Sequence, residues 1–308
     1  MNKMPTPDDL RVFIAVVRKA SFSGAANELG TSAAYISKRI RVLESDLMLK
    51  LFQRTTRSVV ITDEGERVYH WAQRILDDID QLLQEVSIPR AAPRGTLRVS
   101  SSFGFGRNVV APMISTLIGR YPGLSVRFEV FDRLVDVASE GIDLDIRVGD
   151  EIAPHLIARP LAENHRILCA APAYLARRGA PRSLADLSQH DCLVIKERDH
   201  PFGVWKLRAA GEEKTVKVTG PLSTNHGEIA VQWAIAGHGV VLRSIWDVGP
   251  YLQRGELVPV LPGYRQEANI WAVYPSRLGT SAKVRVCVEF LQERFAQCNN
   301  GAIASWLG

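Results

Sequence analysis

The chain has 308 residues, of which 46% are apolar and 23% are charged, and its formal net charge is +5. At about 100–200 residues per domain, this length predicts two or three globular units with enough core to fold without disulfides or metals. No apolar run approaches the ~20 residues needed to span a bilayer, and the first residues lack the pattern of a secretory signal, so we expect a cytoplasmic protein.

The first segment predicts three helices. An apolar stripe with helical spacing indicates the first helix and consists of Leu10, Phe13, Ile14 and Val17. A short second helix is expected over residues 24–29, directly after Ser23. A glycine turn ends it, and Ser32 is placed to cap a third helix over residues 33–44. Two short helices joined by a tight turn are typical of a helix-turn-helix.

The outer face of the third helix has the composition of a DNA-reading surface. Small residues at its N-terminal end would let the helix enter a major groove. Tyr35, Ser37 and Lys38 can reach base edges, whereas Arg41 is better placed for phosphate. The residues of this helix and its cap that we expect at the DNA are Ser32, Ala33, Ala34, Tyr35, Ser37, Lys38 and Arg41.

A β-ribbon is predicted over residues 51–62, with a polar, basic tip between apolar strands. Arg54, Thr55 and Arg57 would make it a wing that grips the DNA backbone. An ordinary three-helix bundle with a solvated hairpin is the alternative. Residues 1–62 carry ten Lys or Arg and five Asp or Glu, whereas the rest of the chain is neutral, and this concentrated charge favours double-stranded DNA as the partner.

A long helix follows the predicted wing, starting at the acidic segment 63–66. Its apolar stripe consists of Val68, Trp71, Ala72, Ile75, Leu76, Ile79, Leu82, Leu83 and Val86. Nothing nearby in sequence could bury so long a stripe, so we expect a second copy of the chain to cover it. A dimer of this kind would present two recognition helices to an operator with dyad symmetry.

Strands and helices alternate from Gly95 onward, which predicts parallel sheets and an α/β architecture. The first series has strands over 97–101, 124–131 and 144–148, a helix ending near 121 and a short helix before 144. The second has strands over 167–171, 192–195, 216–218 and 240–243, and a helix over 228–236. A strand over 269–274 and a helix over 281–297 would return to the first lobe.

Two segments of this region suit a small anion, because hydroxyls and free N–H groups gather where helices begin. One contains Ser101, Ser102 and Phe103, and the other contains Thr224, Asn225 and His226. Plain helix capping would explain either segment alone. Arg243 and Arg147 are candidate partners for an effector carboxylate, although either arginine could instead be paired internally, Arg147 with the nearby Asp145.

The residues also carry a family resemblance. The segment FSGAANELGTSAAYISKRIRVLESDLMLKLFQRTTRSVVITDEG resembles the DNA-binding domain of LysR-type transcriptional regulators, most specifically from Leu43 to Gly65. Ala33 departs from the Gln or Pro that is frequent at this turn of the family, so operator sequence does not carry over. Later segments such as GIDLDIRVGDEI and GEIAVQWAIAGHGVVLRSIWDV resemble the subgroup that governs tartrate and malate use, including activators of L-tartrate dehydratase genes.

The resemblance implies a homotetramer formed from two dimers, an anionic hydroxydicarboxylate effector and contact with RNA polymerase. The expected fold class is α plus α/β and multidomain. It combines a winged helix-turn-helix (1–62), a dimerising linker helix and hinge (63–90) and a two-lobed, periplasmic-binding-protein-like domain (91–308). Lobe I would comprise residues 91–165 and 268–308, and lobe II residues 166–267. The same family architecture responding to another metabolite, and acting mainly as a repressor, stays open.

Other classes of protein fit the sequence less well. The chain lacks the hydrolase, metalloprotease, P-loop and dinucleotide fingerprints, and its histidines and four cysteines have no metal-ligand spacing. We therefore expect no enzyme, no metal and no cofactor. A transport-type solute receptor would not need the helix-turn-helix, and a sequence-blind architectural DNA protein would not need a ligand domain.

Overall fold

The computed structural model describes residues 4–54, 59–86, 93–196, 202–278 and 281–298. The chain falls into two compact units, residues 1–91 and 92–308. Among the described helices, none is both long and apolar enough to cross a membrane. The three cysteines whose side chains are described, Cys169, Cys192 and Cys287, are buried and reduced.

The first unit begins with three helices: α1 (Pro7–Lys19), α2 (Phe22–Glu28) and α3 (Ala33–Leu47). A capping box starts α1, and Ser32 caps α3 by accepting the N–H of Tyr35 at 3.2 Å. Helix α2 starts earlier than predicted, because Ser21 rather than Ser23 accepts the N–H that begins it. Helix α3 continues past the predicted residue 44 until Met48 adopts a left-handed conformation with φ 54°.

An antiparallel ribbon and a long helix complete this unit: β1 (Phe52–Arg54), β2 (Val59–Ile61) and α4 (Asp63–Val86). Buried Glu44 connects α3 to the ribbon, because its Oε1 accepts the N–H groups of Leu51 at 3.0 Å and Phe52 at 3.4 Å. Gly65 lies so close to the ribbon that a Cβ there would stand 2.4 Å from the carbonyl oxygen of Leu51. These contacts explain the glutamate and glycine of the Leu43–Gly65 motif.

The apolar side chains of α4 fall into two groups, one packed on the core of the unit and one exposed to solvent. Ala72 is buried in the core of the unit, and Val68, Tyr69 and Leu76 pack against that core. A second row faces solvent: Trp71 is 60% exposed, Ile75 41% and Leu82 59%. Among its described side chains, the stripe predicted as one interface is therefore divided between the unit's own core and an exposed apolar row. The side chains of Leu83 and Val86 lie outside the described residues.

The second unit contains two lobes. Lobe I is built on a five-stranded sheet whose strand order is β4-β3-β5-β15-β6. Its strands are β3 (Gly95–Ser101), β4 (Leu124–Val130), β5 (Leu144–Val148), β6 (Leu156–Ala162) and β15 (Ile270–Pro275). Strands β4 and β5 run parallel to β3, whereas β15 is antiparallel to β5 and β6. The helices of lobe I are α5 (Phe103–Phe105), a π-helical turn (Gly106–Val110), α6 (Ala111–Arg120), a 3-10 turn (Ser276–Leu278) and α10 (Ala282–Cys298).

Lobe II lies between the two segments of lobe I in sequence. Its helices are α7 (Pro172–Arg178), a 3-10 turn (Ala185–Gln189), α8 (Gly227–Ile235) and α9 (Ile245–Gln253). Its strands are β7 (His165–Ala170), β8 (Val194–Ile195), β9 (Val204–Ala209), β10 (Glu212–Lys217), β11 (Ser223–Thr224), β12 (Val241–Ser244), β13 (Val258–Pro259) and β14 (Arg265–Glu267). Only the β8–β11 pair is parallel among these described strands.

The prediction of parallel sheets was therefore correct for the start of lobe I and wrong for the main sheet of lobe II, which is antiparallel. The predicted strand near 216–218 is the second arm of the hairpin β9–β10. The hairpin turns at Ala210 and Gly211, which have positive φ of 50° and 86°. The short helix predicted before residue 144 is only a turn.

Asn164 holds together the two strands that connect the lobes. It is buried, its Nδ2 donates to the carbonyl of Ala268 at 2.6 Å, and its N–H donates to Oδ1 of Asn269 at 3.1 Å. Its own Oδ1 accepts the hydroxyl hydrogen of Ser244 at 2.9 Å. One amide side chain thus links both crossing segments to the end of β12.

Candidate functional site

The outer face of α3 is open to solvent. Ala33, Ala34, Lys38 and Arg41 are exposed, Tyr35 is 45% exposed and Ser37 is half-buried. The opposite face is anchored by Ile36, Ile40 and Leu43, each of which is fully buried. The buried face of α3 therefore fixes the helix on the core, and its exposed face presents small and basic side chains to solvent.

The basic residues of α3 have different roles. Arg39 turns inward and pairs with Asp9, which is buried on α1. Within the part of the chain that the structure describes, Lys38 and Arg41 have no ion-pair partner, and Arg41 donates one hydrogen bond, to the carbonyl of Ser37 at 3.4 Å. Lys38 and Arg41 are consequently available to bind a polyanion, whereas Arg39 connects α3 to α1 through its ion pair with Asp9.

The wing residues are only partly described. The backbone of Arg54 pairs with Val59 at the end of the ribbon that residues 55–58 connect. The Arg54 side chain, Thr55 and Arg57 lie outside the described residues, so their role at DNA stays a prediction.

A cavity of about 70 Å³ lies between the lobes of the second unit. Lobe I contributes Ser102 and Phe103, which begin the helical segment after β3, and Asp132, which follows β4. Lobe II contributes the start of α8 and the end of β12. The cavity thus lies where strands end and helices begin, which is the position expected for a ligand in α/β folds.

Five of the predicted effector residues line this cavity: Ser102, Phe103, Asn225, His226 and Arg243. The rings of Phe103 and His226 lie 5.1 Å apart, one from each lobe. Thr224 supports the wall instead of lining it, since its Oγ1 accepts the N–H of His226 at 3.0 Å.

Two predicted effector residues belong to the interior of lobe I instead. Arg147 is 4% exposed and pairs with Asp145 at 2.9 Å, with a further bond to the carbonyl of Val135 at 3.4 Å. Ser101 is buried, and its hydroxyl donates to the carbonyl of Ile146 at 2.9 Å. The prediction that they contact the effector is therefore wrong, because both side chains are bonded inside lobe I and neither lines the cavity.

Sequence reasoning missed four polar residues that line the cavity: Asp132, Arg166, Ser244 and Asp247. Asp247 could have been found, since it stands four residues after Arg243 and pairs with it. Arg166 reaches the cavity because β7 and β12 are paired in a register that sets Arg166 opposite Ser244. Nothing in the local sequence encodes that register.

Arg243 is tightly confined. Its side chain is 12% exposed, and that of its partner Asp247 is 10% exposed. The guanidinium also lies directly against Gly227 at the start of α8, where a Cβ would stand 2.3 Å from the guanidinium carbon. Glycine is therefore needed at residue 227 for this arginine to occupy its position.

Polar contacts cross between the lobes beside the cavity. Glu228 accepts hydrogen bonds from Arg107 at 2.6 Å and from Asn108 at 3.0 Å. The amide of Asn225 donates to Asp132. These contacts hold the two lobes in one relative arrangement around the cavity.

Two family models match the chain. The model "Bacterial regulatory helix-turn-helix protein, lysR family" matches residues 7–66, and the model "LysR substrate binding domain" matches residues 90–296. Together they cover the recognition helix, the ribbon and both lobes.

Known proteins resemble the chain over nearly its whole length. The HTH-type transcriptional regulator DmlR of Escherichia coli K12 is 59% identical, covering 96% of this chain and 97% of that protein. The HTH-type transcriptional activator TtdR of the same strain is 48% identical, covering 98% of each. The solved structure of CrgA, a LysR-type transcriptional regulator from Neisseria meningitidis, has a TM-score of 0.60 and 28% identity, covering 95% of this chain and 99% of that one. These relatives are regulators rather than enzymes, and the chain belongs to the LysR family of transcriptional regulators.

Proposed function

We propose that this regulator binds promoter DNA through α3 and the wing, and that a small hydroxydicarboxylate such as tartrate or malate modulates that binding. The observation that carries the effector half is the interlobe cavity, where Arg243 lies beside the start of α8. A guanidinium and the unpaired N–H groups at a helix start are both complementary to a carboxylate. The resemblance of segments such as GIDLDIRVGDEI to the subgroup that governs tartrate and malate use supports the same effector class.

The size of the cavity favours a small effector. A cavity needs roughly 10–15 Å³ to hold one water. The volume of about 70 Å³ therefore suits a few waters or a compact metabolite of few carbons. A bulky aromatic or drug-sized effector would require the lobes to open.

The α3 face supports the DNA half of the proposal. Exposed Ala33 and Ala34 leave room for close approach to a groove, and Lys38 and Arg41 offer cations without internal ion pairs among the described residues. Base edges would be read by Tyr35, Ser37 and Lys38.

The exposed row on α4 supports self-association. Trp71, Ile75 and Leu82 follow helical spacing on one face, and an exposed apolar row of this kind favours pairing with a second helix. A second copy of the chain would supply that helix, and two such dimers would form the tetramer. Contact between the promoter-bound tetramer and RNA polymerase stays part of this proposal.

Coupling between effector and DNA would run through the lobe arrangement. Ser244 lines the cavity and is bonded to Asn164, which holds both crossing segments. An effector that binds one lobe arrangement more tightly than another would shift the population between them, and with it the spacing of the DNA-binding units in the tetramer.

Thermal unfolding of the full chain against a panel of acids tests the effector class. The panel contains L-tartrate, D-tartrate, both malates, succinate and an aromatic acid as control. We expect a saturable rise in Tm with at least one hydroxydicarboxylate, because a ligand that binds only the folded state stabilises it. A panel in which no acid raises Tm would contradict the proposed effector, and an unchanged DNase footprint at saturating effector would contradict the coupling.

A further inference from the structure

The interlobe cavity is lined by two carboxylates, Asp132 and Asp247, among its described residues, which is unexpected in a site for an anion. Like charges at short range repel each other, so each carboxylate should weaken the binding of an acid. Asp132 has a clear function, since it accepts the amide of Asn225 across the lobes. Asp247 makes no such contact with lobe I within the described ranges and requires another explanation.

Asp247 is held in place with one oxygen occupied. It lies in the first turn of α9, and its Oδ2 accepts a hydrogen bond from Nη2 of Arg243. Its other oxygen, Oδ1, accepts no hydrogen bond from any residue that the structure describes, although Asp247 lines the cavity. Asp247 therefore offers the cavity a carboxylate oxygen that is held in place and can still accept a hydrogen bond.

The other polar groups of the cavity are mainly donors. Arg166 and Arg243 contribute guanidinium groups, and the hydroxyl of Ser102 does not cap its own helix. The hydroxyl of Ser244 is already committed to Asn164. The cavity thus presents several donors, and the open oxygen of Asp247 lies beside the guanidinium of Arg243. This arrangement is complementary to a ligand that combines carboxylates with a hydrogen-bond donor.

We propose that Asp247 is the specificity residue that reads the hydroxyl group of a hydroxy acid. Oδ1 accepts the hydrogen bond of the effector hydroxyl, while Arg166 and Arg243 bind the effector carboxylates. This assignment rests on the proposed effector class. A hydroxyl suits Asp247 better than an ammonium group does, because Arg243 already balances the charge of the carboxylate.

The hydroxyl should have a measurable effect on affinity. A hydrogen bond to a charged group, gained by malate and absent with succinate, corresponds to a preference of about 10- to 100-fold. Malate and succinate share the same carbon chain and the same two carboxylates, so their ratio isolates the hydroxyl. L-Aspartate, which carries an ammonium group at that carbon, completes the set.

Calorimetric titration of the full-length protein with these three acids is the test. In Asp247→Asn, the amide oxygen would face Arg243 and the NH2 group would replace Oδ1. We expect weaker malate binding, unchanged or tighter succinate binding, and a malate-to-succinate preference reduced about tenfold. Asp132→Asn is the matched control: it also removes one lining carboxylate, but it should move both affinities in the same direction and keep their ratio.

Three results would overturn the assignment: equal affinities of malate and succinate for the wild-type protein, a parallel loss of both in Asp247→Asn, or aspartate binding as tightly as malate. A parallel loss would mean that Asp247 only positions Arg243. In each of these cases the proposed effector class would survive, because the acids still bind. If no acid binds the wild-type protein, the effector half of the proposed function and this assignment both fail.

Discussion

The outer face of α3 and the interlobe cavity, the two binding sites proposed above, differ in how their side chains are held. On α3, Lys38 and Arg41 extend from a helix that is fixed only by its buried side. In the cavity, Arg243, Asn225 and Ser244 are each already bonded to another residue. The comparison teaches that the proposed DNA-reading face belongs to one local helix, whereas the proposed effector site depends on contacts between segments distant in sequence.

The largest effect on stability is expected at Arg147. A substitution there tests whether this arginine stabilises the fold or binds the effector. Arg147→Met should lower the free energy of unfolding by about 3–5 kcal/mol, because removing one partner of a buried pair leaves the other charge uncompensated. The side chains of Arg147 and Asp145 are each 5% exposed. Denaturant unfolding of the full chain measures the change.

Arg107→Gln is the control for that prediction, since Arg107 belongs to an ion pair but is 71% exposed. An exposed pair contributes at most about 1 kcal/mol, so this variant should unfold nearly as the wild type does. If Arg147→Met kept full stability and lost effector binding, Arg147 would be an effector ligand after all.

An intermediate effect is expected at Gly227, where the cavity wall is tightest. In Gly227→Ala the new Cβ would lie 2.3 Å from the guanidinium carbon of Arg243, so the arginine must move. Effector affinity should fall about tenfold, which corresponds to about 1.4 kcal/mol, while operator binding without effector stays unchanged. Calorimetry and gel-shift titration measure the two quantities.

Gly119→Ala is the matched control for that glycine. Gly119 lies within α6, and a Cβ there meets nothing within 4 Å. Effector affinity should be unaffected in this variant. Equal effector affinities of Gly227→Ala and wild type would show that Arg243 is not needed at its observed position.

The smallest effect on stability is expected on α3. Arg41→Ala should change the free energy of unfolding by less than about 0.5 kcal/mol, because the side chain is exposed. It should weaken binding to specific and random DNA alike and reduce the salt slope by about 1, as expected for one lost phosphate contact.

Ser37→Ala is the companion substitution on the same helix. It should change the preference among operator sequences and leave random DNA unaffected, because Ser37 is expected at base edges. Quantitative gel shifts on both DNAs at several salt concentrations compare the two variants. The same proportional loss in both would contradict the division of roles between Arg41 and Ser37.

Local patterns were sufficient to predict the helices and the ribbon of the first unit. The spacing of Leu10, Phe13, Ile14 and Val17 indicated α1, and Ser32 does cap α3. The boundary of α2 was wrong by two residues because two serines stand close together and only Ser21 adopts the capping geometry. The division of the α4 stripe could not be predicted, since it depends on which residues meet α1 in three dimensions.

In the second unit, local patterns did not predict how the strands pair. Alternating strands and helices suggested parallel sheets throughout, but the antiparallel order of lobe II follows from long-range pairing that leaves no periodic signal. The same limit explains the arginines of the site. Arg147 and Arg166 both lie on strands, β5 and β7. The pairing of β12 with β7 brings Arg166 to the cavity, and this pairing cannot be read from the local sequence.

The buried cysteines provide a native reporter of local unfolding in each lobe. Burial raises the pKa of the Cys169, Cys192 and Cys287 thiols to about 12 in each case. Because only the thiolate attacks an alkylating reagent, these residues stay unreactive until the surrounding structure opens. Cys169 and Cys192 belong to lobe II and Cys287 belongs to α10 of lobe I. Their separate alkylation rates therefore measure how often each lobe unfolds locally, without any added label.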